Sequence, residues 1–315
     1  MKIVAEIGVS GLYQLEVTKA DGKVEEYPWM DNVVLDQGLG HVIFNSGQGG
    51  YNKYNNYRCM YLGTGGSAAL PTDTWLESYY ATSTGPSQSS GYGAVDEFSN
   101  MYNWIRGTYE FPAVPSVGGV IVKECGVGYM EASVSNSKLT TRSRFTVGGV
   151  PFDLSLNQGD ILKVTYEIRI YPPTEPVVST FDLNDDPLET RTVTMYPYGI
   201  NSASYWNVSY ATNSSIAYNQ LRQAGLLTGA VPPATPTSVY GASGSGGSTN
   251  SSPCNLGLAD CNFAGGIDGA YIRVWCNYDG AVHASFMCTI DPPIMKDNTM
   301  VASYSYGVQA VRYVP

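Results

Sequence analysis

Three glycines in four positions, Gly63, Gly65 and Gly66, punctuate the stretch "YLGTGGSAALPTDTWLES" at residues 61–78. A glycine-rich turn that opens a helix can cradle phosphate through its backbone N–H groups. This stretch lacks the Lys-Ser/Thr pair of a P-loop and the full G-x-G-x-x-G spacing of a dinucleotide fingerprint. It is expected to be a structural corner, with glycine chosen because it tolerates positive φ. A second candidate, "FDLNDDPLETRTV", places Asp182, Asn184 and Asp186 at the alternate positions of a calcium loop. Pro187 then stands where that loop needs glycine and Val193 where it needs a bidentate glutamate, so a solvated acidic turn is expected. Two histidines, His41 and His283, and six cysteines without a C-x-x-C argue against zinc. There is no G-x-S-x-G elbow, and acid pairs such as Asp96-Glu97 mean little without a known separation. No catalytic residue, metal or cofactor is expected, and the chain reads as something other than an enzyme.

The elements that would position any site read as strands. "LYQLEVTK" alternates apolar and polar residues, Asp21-Gly22 supplies a turn, and "KVEEYPW" returns. "DNVVLDQGLGHVIFNS" reads as a short strand breaking into a helical turn near Gln37-Gly38. "RCMYLGTG" reads as a buried strand, and "TDTWLESYYA" as a short helix capped by Thr72 or Asp73. The polar, glycine- and serine-rich residues 82–103 read as a surface loop. "NWIRGTYEFP", "GGVIVKECGVGYM", "LTTRSRFTV" and "ILKVTYEIRIYPP" read as strands. In the last of these, Leu162, Val164, Tyr166 and Ile168 fall on one face, and Lys163, Thr165, Glu167 and Arg169 on the other. "IAYNQLRQAGLL" is the best helix candidate of the second half, and 228–252 reads as an exposed, low-complexity excursion. "AYIRVWCNYDGAVHASFMCTIDPPI" reads as a hairpin with Asp279-Gly280 at its tip, and "TMVASYSYGVQAVRYV" as a closing strand.

The fold expected from this pattern is mainly β: an antiparallel β-sandwich, jelly-roll-like, with a few short helices and long loops. Residues 1–175 would form the sandwich core with its N-terminal hairpin, and 176–265 a loop-rich insertion with one short helix. Residues 266–315 would supply a C-terminal hairpin and strand that complete the core. Composition agrees. In 315 residues, 35 glycines, 25 tyrosines and 18 prolines stand against only 14% charged residues. The net charge of −10 repels nucleic acid, no apolar stretch reaches membrane-helix length, and no signal-peptide pattern opens the chain.

Two groups of residues remain as candidate contacts. Tyr51, Tyr54 and Tyr57 recur every third residue among asparagines, and Tyr205, Trp206 and Tyr210 cluster in "NSASYWNVSYATN". Such amphipathic rings suit a protein interface or a sugar face, and equally the lid of a β core. Among the cysteines, Cys59 and Cys125 read as buried free thiols, Cys276 and Cys288 lie on two arms of the C-terminal hairpin, and Cys254 with Cys261 could close a local disulfide.

Several phrases in a fixed order, "WMDNVVLDQGLGHVI", "YLGTGGSAALPTDTWLES", "RGTYEFP", "GVIVKECGVG", "LTTRSRF" and "LNQGDILKVTYEIRIYPP", resemble a family of tailed-bacteriophage virion proteins. These are tail-fibre, baseplate-associated or minor structural proteins, and their pattern includes "hGTG…P…T-D-x-x-L" and "h-x-E-h-G-h". The resemblance covers residues 27–173 and about 285–311. It departs at Cys125, where an aliphatic residue is expected, and at 228–262, which looks like an insertion.

The resemblance implies a structural subunit of the virion, assembled in the host cytoplasm, without catalytic residues. Its partners would be other virion proteins and copies of itself in a ring or trimer. It further implies that Glu124 and either Arg142 or Arg144 form a structural ion pair between adjacent strands. The alternatives are a host-receptor or glycan-binding tail protein using the aromatic loops and, last, a polysaccharide depolymerase.

Overall fold

The computed structural model describes residues 2–43, 59–115, 118–129, 138–182, 187–197, 207–208, 222–224, 239–243, 245–251, 256–264, 270–271, 274–279, 282–291, 295–296 and 301–314. Among them the chain is almost entirely strand, antiparallel in all pairings but one, and sandwich-like with one strongly curled sheet.

In chain order the first elements are β1 (Lys2–Thr18), β2 (Val24–Glu26), β3 (Met30–Val34), helix α1 (Asp36–Ile43) and β4 (Cys59–Gly63). Next come β5 (Tyr79–Thr84), β6 (Ser87–Val95), β7 (Met101–Phe111), β8 (Val120–Val122), β9 (Glu124–Tyr129) and β10 (Lys138–Arg144). Three short strands follow: β11 (Thr146–Val147), β12 (Val150–Pro151) and β13 (Leu154–Leu156). The long β14 (Ile161–Tyr171) precedes the hairpin β15 (Val177–Asp182) and β16 (Thr190–Pro197).

β1 is the spine of the large sheet. One edge pairs with β14, from Gly8↔Tyr171 to Thr18↔Ile161. The other edge is shared end to end by strand Val301–Arg312, which runs parallel, then by β3 and β2. β14 pairs onward with β7 and β7 with β6, while β3 leads through β10 and β9 to β4 and β5. The two arms curl together: Ser83 Oγ on β5 donates to the Glu110 carbonyl on β7 at 2.7 Å. Alternation drives this closure. Tyr13, Leu15 and Val17 of β1 and Leu162, Val164, Tyr166 and Ile168 of β14 all point into one dry cluster with Met60, Val127 and Phe145. The β1–β2 turn falls at Asp21-Gly22, where Gly22 takes φ +88° and its N–H bonds the Lys19 carbonyl.

A smaller sheet runs β15, β16, Val282–Asp291, Val274–Asp279, Arg222–Ala224 and Val239–Ser243. Val193 of β16 is buried in the core of the large sheet, with Val177 and Phe181 packed beside it. The expected C-terminal hairpin thus pairs with β16 in the second sheet, and Val301–Arg312 joins the first.

Four expectations need correction. Residues 82–103 are not a loop: β6 pairs with β7 across a bulge between Gly91 and Ala94. Its serines and glycines carry no apolar alternation because β6 is exposed, and pairing rests on backbone bonds to β7. Residues 72–81 hold no helix; turns and bends lead into β5. Within the expected helix at 216–227, Arg222–Ala224 is strand, and its remaining residues lie outside the described ones. The low-complexity 228–252 segment supplies strands Val239–Ser243 and Ser245–Ser251, the second pairing with Leu256–Ala264 in the large sheet. Cross-strand neighbours, rather than local composition, set these strands.

Candidate functional site

The glycine corner does cradle an anion, and the anion is Glu124. This carboxylate is fully buried at the start of β9, where β9 pairs with β10 and β4. Its Oε1 accepts the N–H groups of Gly65 at 3.2 Å and Ser78 at 3.0 Å. Its Oε2 accepts the Glu77 N–H at 3.3 Å and Arg142 Nε at 2.8 Å. A buried carboxylate is tolerated only when paired and hydrogen-bonded, and four donors meet that need. The glycines are required by closeness: a Cβ at Gly63 or Gly65 would lie 2.5 Å from Glu124 Oε1. Here the side-chain carboxylate fills the place that a phosphate takes in a binding loop.

Arg142, across the β9–β10 pair, completes the clasp. Its Nη1 donates to Asp73 Oδ2, and its Nη2 to Ser67 Oγ at 3.0 Å. Burial favours loss of the proton, but Asp73 and Glu124 outweigh it and raise the guanidinium pKa above its ordinary value. Glu77 accepts the Ser67 N–H at 2.7 Å, and that bond first, then the Ser67 hydroxyl, hold its carboxyl below the usual range. Asp73 also accepts the Leu70 N–H at 2.7 Å. Its carboxylate therefore faces backward and across to Arg142, which removes the cap that a helix after Asp73 would need.

The α1 corner locks the same loop from below. The Pro71 carbonyl accepts the Asp36 N–H at 2.8 Å, and Gln37 Nε2 donates to the carbonyls of Thr74 and Leu139 at 2.9 and 2.8 Å. Gly38 sits so close to β10 that a Cβ would lie 1.9 Å from the Thr140 carbonyl oxygen.

Of the two arginines considered for the ion pair, Arg142 reaches Glu124. Arg144 turns away to Asp153 and to the carbonyls of Lys123 and Phe152. Successive residues of a strand point to opposite faces, so Arg142 and Arg144 share a face; β10 ends at Arg144, whose side chain passes to Phe152 and Asp153 just after β12 instead. Tyr51, Tyr54, Tyr57, Tyr205, Trp206, Tyr210 and Cys254 lie outside the described residues, and Cys261 lies in strand Leu256–Ala264 opposite Gly246 and Tyr304. Cys59 and Cys125 are both buried and neither is in a disulfide. Asp96 accepts the N–H groups of Phe98 and Asn100 and the Tyr313 hydroxyl, a turn-capping role.

A second constellation, missed by the sequence reading, lies on the outer face of β7 and β14. Glu167 is fully buried there and accepts Nε of both Arg106 and Arg169. The Arg106 guanidinium lies 4.4 Å from the Trp104 ring centre and 5.1 Å from that of Trp29, and Arg169 lies 4.3 Å over Tyr102. The signal was available: Glu167 and Arg169 alternate on the polar face of β14, and Trp104 and Arg106 alternate in β7.

Among the described residues no group of three or more His, Cys, Asp or Glu could hold a metal ion, and no helix is long and apolar enough to cross a membrane. What the fold and its polar centres define is a mainly β, antiparallel sandwich-like protein whose best-formed polar cluster is internal. Comparison with family models, with curated proteins and with solved structures finds no match to the chain.

Proposed function

We propose that this chain is a structural subunit of a tailed-phage virion, in its tail, baseplate or neck and fibre region, acting through protein–protein assembly contacts. One observation supports the reading above the rest. The phage-like phrases "YLGTGGSAALPTDTWLES", "GVIVKECGVG" and "LTTRSRF" supply Gly65, Ser67, Asp73, Ser78, Glu124 and Arg142, and these residues gather in one buried clasp. A pattern whose members are spent on one another positions backbone. It fixes the 64–78 corner beside β5, whose Tyr79 and Tyr80 are exposed. Exposed rings held on a rigid corner suit contact with other subunits, since aromatic anchors dominate interface energy.

The test is mass spectrometry of purified particles of the phage whose genome encodes the chain. The chain is expected among the virion proteins at a stoichiometry that matches a ring or trimer. Its absence from particles that assemble normally would overturn the reading.

A further inference from the structure

We infer that the free edge of β6 pairs with the same edge of a second copy of this chain, antiparallel about a two-fold axis at Ser89. The inference rests on the assembly reading and names its partner and its surface. Among the described residues β6 pairs with β7 alone. Ser89 lies opposite Arg106 on the outer face and Ser90 opposite the core residue Ile105, yet both serines are exposed, so neither face of the strand is covered. A strand at a sheet edge presents a row of unpaired N–H and C=O groups that another strand can take. Protein edges are commonly guarded by an inward charge, a lysine or a proline within the strand, and Ser87–Gly91 holds none of these.

Three features choose a second copy of β6 as the strand that takes this edge. The first is length. The regular ladder of β6 runs from Ser87 to Gly91, with Pro86 before it and the bulge between Gly91 and Ala94 after it. An antiparallel copy centred on Ser89 sets Ser87 opposite Gly91 at both ends. Each chain's Pro86, which has no N–H to give, then falls beside the other chain's bulge, where regular pairing stops in any case. The second is Trp104. Its indole lies over Gly91, where a Cβ would be 2.6 Å from the ring. The side chain that the copy brings opposite Gly91 is Ser87, small and exposed, which leaves the ring room to cover it. The axis makes two such contacts, and a tryptophan lying across paired strands is a strong anchor. The third is charge. Ser87–Gly91 carries none, and the two Arg106 side chains stand three strand spacings apart, about 14 Å, beyond the screening length of about 8 Å. One edge meeting its own copy is an isologous contact and closes at two chains, so between rings it joins two of them.

Light scattering coupled to size-exclusion chromatography tests this on the full chain. Wild type should exceed the single-chain mass of 33.9 kDa at tens of micromolar. It should still do so as salt rises to about 1 M, because backbone bonds and an indole, rather than charge, carry the contact. Ser89→Cys reads the register. On the axis its two thiols face each other, with Cα atoms about 4.5–5.5 Å apart, within disulfide reach. Mild oxidation with diamide should link the chains, seen as a doubled mass that dithiothreitol reverses. Ser87→Cys is the control: its two copies lie four residues apart along the pair, about 14 Å, and should link no more than wild type, whose own cysteines set the background. Ser89→Lys places two like charges directly opposite, each beside its own Arg106, and should weaken association at least about ten-fold, equivalent to about 1.4 kcal/mol. Both positions are exposed, and unchanged circular dichroism and thermal unfolding would show that each variant folds. A single-chain mass for wild type up to about 100 µM, a specific contact being worth about 5 kcal/mol or more there, would overturn the contact. So would Ser89→Cys linking no better than wild type, Ser87→Cys linking as well as Ser89→Cys, or Ser89→Lys associating like wild type. Absence from purified particles defeats the virion reading and leaves the contact standing; a failed Ser89→Cys link defeats the contact alone.

Discussion

Replacing Glu124 with glutamine keeps the shape of the side chain and removes its charge. In the native clasp four donors share two carboxylate oxygens, two on each. The amide oxygen of glutamine can serve one pair. Its NH2 then faces the other pair, donor against donor. Hydrogen bonds to a charged group contribute about 1.5–3 kcal/mol each, so two lost bonds amount to about 3–6 kcal/mol. Part of this is offset because a neutral amide costs less to bury than a carboxylate. The net expectation is a loss of about 3–4 kcal/mol, a large share of a typical stability of about 5–15 kcal/mol. Urea unfolding measures it as a drop in midpoint at unchanged m-value. Arg142→Met and the double variant complete a cycle. Because the two residues share one network, the double loss should fall short of the summed single losses by at least about 1 kcal/mol. A single Glu124→Gln loss below about 1 kcal/mol, or additive losses, would refute the argument that the clasp works as one paired unit.

Other expectations follow from the same geometry. Gly38→Ala forces a Cβ against the Thr140 carbonyl, a backbone atom that cannot swing aside, and should lower stability by about 3 kcal/mol in thermal unfolding. Cys125 is buried, and burial first, then the neighbouring Glu124 charge, push its thiol far above the ordinary range; a maleimide at pH 8 should label it only after denaturant is added, as read by mass. Glu77 has a depressed folded pKa, so its stabilising bond to the Ser67 N–H is present above the ordinary value of 4.5 and fades as pH falls through the lower folded value. The Ser67 amide should accordingly lose hydrogen-exchange protection only in that acidic window, while Val164 in the core of β14 keeps its own.

Where one face of a strand is buried against the core, period-two alternation is enough to find it, which is why β14, the second half of β1 and most of β7 are legible in the sequence. The Asp21-Gly22 turn is equally legible, because positive φ selects glycine. β6 is invisible in composition since an exposed strand needs no apolar face, only a neighbour with free backbone groups. The helix expected after Thr72 fails for a related reason. Its cap residue, Asp73, is claimed by Arg142, 69 positions away, and a local signal worth about 1 kcal/mol yields to a charge-paired network.

The candidate site divides along the same line. In "YLGTGG" glycine is expected for positive φ, but none of the three glycines takes it; Gly63 and Gly65 are required because a Cβ there would meet Glu124. That the approaching group is the side chain of Glu124 depended on β4, β9 and β10 lying side by side. The outer face is a similar case: alternation puts Glu167 and Arg169 on one face of β14, but only the register of β7 against β14 sets Arg106 opposite Glu167. Alternation and turn chemistry act within a few residues and can be read from order alone. Charge pairing acts through space, and the curl of the large sheet chose which partners met.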